Sequence, residues 1–172
     1  MEGRLRLQLM DYLLQSIQGS AFSHWAQSSL YPIVVTLHAI GLAMLVGLLT
    51  VIDLRVLGFA RQLPLPALRQ FMNGAWIGFW INAASGAVLF SIDAKKDFYS
   101  GLFRVKLTVI AAGVILAKVI DSNVLSVSDA PAAIEPTARA KLLALASLLC
   151  WTGAIVSGRL LAYSTFGDVG AE

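Results

Sequence analysis

His38 is the residue best placed to do chemistry in this chain. It lies inside a run, 30–52, that holds no Asp, Glu, Lys or Arg. A neutral imidazole in such a place can ligate haem iron or hydrogen-bond to a quinone carbonyl. Four more polar residues reach the same depth once the apolar runs fold back on one another: Lys106, Arg159, Tyr163 and Asp93. Lys106 and Arg159 suit haem propionates or an anionic headgroup, through charge-assisted hydrogen bonds. Tyr163 can donate to a quinone oxygen. Gly41, one turn from His38, would let a flat ring approach the backbone. Ionisable groups inside an apolar span are costly, which makes this layer a candidate ligand site. The plainer reading of the same residues is structural. Lys106 and Arg159 snorkel to the headgroups, Asp93 pairs with one of them, and His38 bonds to a neighbouring carbonyl.

A haem at His38 needs a second ligand from elsewhere or stays five-coordinate. The other histidine, His24, stands 14 residues away, about 21 Å along a straight helix. Met10 reaches the layer only if its segment tucks inward, and Met44 falls on a different face of the His38 helix. A partner subunit is the expected source. No Asp or Glu follows either histidine at the third or fourth position, so no zinc or di-iron motif is present. Charges also gather at the opposite ends of the runs: Asp53, Arg55, Lys118 and Asp121. Lys118 and Asp121 are three apart and can pair across one turn. A collar of structural ion pairs is expected there, with Asp93 in the same role at the other end. The sharper alternative is a proton or ion route running toward His38.

The elements that position these residues follow from composition. The 172 residues are 58% hydrophobic and 13% charged, with a net charge of +3. An ordinary soluble domain is about 25% charged. Disordered chains, nucleic-acid-binding domains and ordinary soluble enzymes are excluded on that ground. A helix crossing a bilayer needs about 20 apolar residues. The runs 30–52, 71–92, 102–120 and 140–165 meet that length. The third carries Arg104, Lys106 and Lys118 near its ends. Ahead of them, 5–17 sets Met10, Leu13, Leu14 and Ile17 on one helical face, an amphipathic helix for the membrane surface. The expected fold is all-α: an integral membrane four-helix bundle in one domain, with both termini on one side. Basic residues divide almost evenly between the two sides, so the positive-inside rule gives no orientation. Pro64, Pro66, Pro131 and Pro136 mark the connections, with 121–137 the longest loop. Cys150 is the single cysteine, so there is no disulfide framework. No nucleophile elbow, metalloprotease or nucleotide-binding motif occurs, and an autonomous enzyme is not expected.

Several strings carry a family likeness: Tyr31-Pro32, Thr36-Leu37-His38-Ala39-Ile40-Gly41, Val46-Gly47 and Asp53-Leu54-Arg55-Val56-Leu57-Gly58. Trp80 to Phe90, Phe103-Arg104-Val105-Lys106 and Gly158-Arg159-Leu160-Leu161-Ala162-Tyr163 fit the same pattern. As a set these resemble a bacterial family of small four-helix inner-membrane proteins, a domain of unknown function. It is distantly similar to four-helix b-type cytochromes and copper-resistance membrane proteins. The resemblance implies the fold, a multi-pass place in the bacterial inner membrane, and weight on His38, Asp53, Arg55, Lys106 and Arg159. Family members often carry an acidic residue shortly before the histidine, where this chain has Val34-Val35-Thr36. Three roles follow as expectations. The first is a non-catalytic accessory subunit among other membrane-protein subunits or its own copies. The second is a haem b or quinone electron-transfer protein using His38. The third is a small-molecule or ion carrier.

Overall fold

A computed structural model describes residues 2–59, 62–63, 65–125 and 136–167. No strand occurs among them, and seven α-helices do. Helix α1 is Glu2–Gln18, α2 Ala21–Trp25, α3 Tyr31–Leu57, α4 Leu65–Ile92, α5 Ala94–Tyr99, α6 Gly101–Ile120 and α7 Ala138–Gly167. Most of the loop expected over 121–137 lies outside the described residues.

Local chemistry sets the ends of these elements. Pro32 stands in the first turn of α3, where its missing N–H and its ring demand room. A widened π-helical turn, Ala26–Leu30, precedes it and supplies that room. The helix therefore passes from α2 into α3 without a break, and Ala21–Leu57 is one apolar run of 37 residues. At its far end Gly58 takes φ 103°. Gly58 N–H then bonds to Arg55 O at 3.1 Å and Phe59 N–H to Leu54 O at 2.9 Å, a left-handed cap that needs glycine. Ser100 closes the start of α6 by accepting from Phe103 N–H. Thr137 does the same for α7 from Ala140 N–H.

Among the described residues three helical stretches are long and apolar enough to cross a membrane: Ala21–Leu57, Ala67–Ile92 and Ala138–Tyr163. Helix α6 is not among them, because Arg104, Lys106 and Lys118 interrupt its 20 residues. It nevertheless shares the core. Leu45, Leu49 and Ile52 of α3, Leu68, Met72 and Ala75 of α4, Ala117 and Ile120 of α6, and Trp151 and Ala154 of α7 form one buried cluster. Successive long helices run antiparallel. Phe90, late in α4, stacks on Phe103, early in α6, at 5.4 Å between ring centres. Trp151 of α7 lies against Gly113 of α6, where a Cβ would meet its ring at 2.9 Å.

The tightest contact is between α3 and α4. A Cβ on Gly41 would come within 2.6 Å of Asn82 N and 2.9 Å of Gly78 O. One on Gly78 would come within 2.7 Å of Leu45 N. The backbones touch because neither residue has a side chain. Gly74 extends the same face against Leu48. Helix α1 is held at one end of the structure: Tyr99 Oη donates to Asp11 Oδ1 at 2.7 Å, and Leu14 is buried. Its other apolar residues, Leu5, Leu9, Met10, Leu13 and Ile17, stay uncovered.

This contact yields a stability test. Gly78→Ala must push α3 from α4 and is expected to cost about 1–3 kcal/mol. Gly47→Ala meets nothing within 4 Å and should leave unfolding unchanged. Reversible denaturation in mixed micelles, followed by circular dichroism, compares the two.

Candidate functional site

His38 projects from α3 onto the last turns of α4, where the sequence supplies Asn82, Ser85 and Gly86. Its Nδ1 lies 3.0 Å from Asn82 O and 3.1 Å from Ser85 Oγ. A backbone carbonyl can only accept, so Nδ1 carries the hydrogen and donates to Asn82 O. Ser85 directs its own hydrogen to Ile81 O at 2.7 Å, leaving an oxygen lone pair toward Nδ1. The Asn82 amide returns the interaction, donating to His38 O at 2.8 Å. This arrangement locks the imidazole in the Nδ1–H tautomer and leaves Nε2 as the basic nitrogen. Gly86 completes the cradle, since a Cβ there would sit 3.1 Å from His38 Cε1.

Lys106 reaches the same layer from α6. Its side chain crosses the missing side chain of Gly158 on α7, with Nζ 3.7 Å from the Cβ position. The ammonium acts electrostatically on His38 and on Asp97 of α5. Burial raises the Asp97 pKa above the usual carboxylate range. Asp93 adds to that rise, while Lys106 and Lys96 oppose it. The layer is thus His38, Asn82, Ser85 and Lys106, with Asp97 at its outer edge.

Arg159 and Tyr163 do not join it. Both are exposed, Tyr163 at 71%. The reason is helical pitch. Trp151, Ile155, Arg159 and Tyr163 are four residues apart, and each such step turns about 40° further round the helix. Trp151 faces the core, and the later members rotate out of it. Gly41 is also reassigned: α4 backbone, not a flat ligand, occupies the space above it. Asp93 is exposed and stands at the start of α5 with no side-chain cap bond.

Asp53 takes no part in the ion-pair collar expected at this end. Arg55 Nε donates to Leu63 O at 2.8 Å, on the chain segment after α3. Both Asp53 carboxylate oxygens are buried without a hydrogen-bond partner. Lys118 places Nζ 5.8 Å from the centre of the Trp76 ring, a cation–π distance. Trp80, one turn on, is exposed. His24 is exposed on α2, far in sequence from the layer. Among the described residues no group of three or more His, Cys, Asp or Glu could hold a metal ion.

Reading by residue type missed Asn82 and Ser85. The available signal was an amide side chain deep in an apolar run, which must find a partner inside the fold. No family model, curated protein or solved structure matches the chain.

Two outcomes test this geometry. Asn82→Ala should lower stability by about 0.6 kcal/mol, with about 1.7 as the upper end for such bonds between membrane helices. Asp97→Asn should match the parent protein in acid, where Asp97 is protonated. Because the folded state raises the Asp97 pKa, stability is lost as pH rises through it. The variant should then unfold at a higher temperature than the parent, as thermal melts across pH will show.

Proposed function

We propose that this chain is a four-crossing membrane protein acting as a non-catalytic subunit or accessory protein in a larger membrane assembly. In this reading α6 crosses with α3, α4 and α7, and its terminal cations snorkel. Helix α1 lies on the membrane surface with its uncovered apolar face in the lipid. The resemblance to bacterial four-helix inner-membrane proteins points to the same placement.

The observation that carries the assembly reading is a second stripe of small residues on α3. Gly41 and Gly78 are used internally, to bring α3 against α4. Ala39, Ala43 and Gly47 repeat the small-xxx-small spacing on the outer side of α3, and all three are exposed. Gly47 has nothing within 4 Å of its Cβ position. Lipid tails gain little from such a groove, whereas another helix can approach it closely. Between Leu45, Met72, Trp76, Val114 and Trp151 the packing leaves no room for a water molecule.

Mild-detergent purification from native membranes, with in-membrane cross-linking, tests the reading. The parent chain should migrate with partners or its own copies. Gly47→Leu should fold and lose at least most of that association. A monomeric parent, or association untouched by Gly47→Leu, contradicts the reading.

His38 supports a second reading, a b-type haem or quinone site completed at the subunit contact. The supporting observation is the fixed Nδ1–H, the usual backing of a ligating imidazole. A visible spectrum of oxidised and reduced protein decides it. A haem band lost in His38→Ala favours haem, and a colourless preparation removes it.

A further inference from the structure

At the end of the fold opposite His38, polar side chains are buried with nothing to bond to. Asp53 of α3 is 1% exposed and Ser147 of α7 is 0% exposed. Neither Asp53 oxygen nor Ser147 Oγ has a hydrogen-bond partner. Ser147 is the polar side chain that approaches the Asp53 carboxyl. One turn further along the same face of α7, Trp151 Nε1 is also buried and unpartnered. The surroundings are otherwise apolar. Ile52, next to Asp53, belongs to the main core, and Val56, one turn on, packs with Ala140 and Ala144 of α7.

Among the described residues no cation compensates the carboxylate. On its own helix Arg55 turns to Leu63 O. On α6, Lys118 lies over Trp76. On α4 Arg69 is exposed; on α7 Arg139 is exposed and Lys141 half-buried, and neither bonds to the carboxyl. A buried carboxylate with neither counter-ion nor hydrogen bonds is among the most costly groups a fold can hold. An alkali or divalent ion would need more oxygen ligands than one carboxyl and one hydroxyl supply. One ligand satisfies the site without further groups, and it is a proton.

The geometry points to Asp53 as a proton-binding site at the seam between α3 and α7, with the Ser147 hydroxyl beside it. Binding forms an O–H bond at one Asp53 oxygen with a proton taken from water, and release returns that proton to water. Nothing is oxidised or reduced. The bound form is neutral and compatible with the closed seam. The released form leaves one charge among alanines and valine, so release requires water to enter between α3 and α7. This inference stands apart from the assembly reading and from any ligand at His38.

Infrared spectroscopy of the full chain in liposomes reads the proton directly. At about pH 7, where a free carboxyl is ionised, the parent should show the carbonyl stretch of a protonated acid. It should shift in heavy water and vanish in Asp53→Asn, a neutral isostere that keeps the seam closed. Ser147→Ala should move the band without removing it. Carboxylate stretches assigned to Asp53 at that pH overturn the proposal. If those stretches respond to replacing sodium by a bulky organic cation, the occupant is an alkali ion instead. If they do not respond, the site is an ionised, water-filled one.

Discussion

The approach of α3 to α4 at Gly41 and Gly78 is the constraint on which the other contacts depend. With backbones in contact, the register of the two helices has no slack. That register carries His38 onto Asn82, Ser85 and Gly86, one to two turns away. A side chain at either glycine would separate the helices and break the His38 bonds along with the packing. In an apolar solvent no hydrophobic force would restore them, because lipid and leucine are equivalent surroundings. Close fit and hydrogen bonds must hold the pair together.

The two ends of the structure treat polar groups in opposite ways. At the His38 end each buried polar group described finds a partner: imidazole to carbonyl, amide to carbonyl, hydroxyl to the preceding turn. Ser23 follows suit, donating from α2 to Ser91 O at 3.0 Å. That end is rigid and defined. At the Asp53 end the carboxyl, a hydroxyl and an indole N–H are buried without bonds. Natural folds rarely tolerate such groups without a use for them. The contrast locates the variable chemistry of the molecule at the end where type and spacing suggested an ion-pair collar first and a proton or ion route second.

Much of this was legible in the sequence. The apolar runs located the four long helices. Boundaries differ by a few residues because helix continues past the last apolar position, as through Asp53 and Arg55. Pro66 also proves compatible with the first turn of α4. Arg159 and Tyr163 were misplaced because depth along a helix says nothing about direction around it. Asn82 and Ser85 were overlooked because uncharged polar residues do not interrupt an apolar run. The isolation of Asp53 could not be read at all. It depends on which side chains of the neighbouring helices meet Asp53, since Arg55, two residues on along the helix, faces elsewhere.

The central claim, that α6 crosses the membrane with the three more apolar helices, is tested most directly by sidedness. In a Cys150→Ala background, single cysteines at Gln62, Ser100 and Thr137 would be probed in sealed vesicles with a membrane-impermeant thiol reagent. If α6 crosses, Gln62→Cys and Thr137→Cys label from one side and Ser100→Cys from the other. Labelling of Ser100→Cys and Thr137→Cys from the same side would contradict it, since α6 would then not cross.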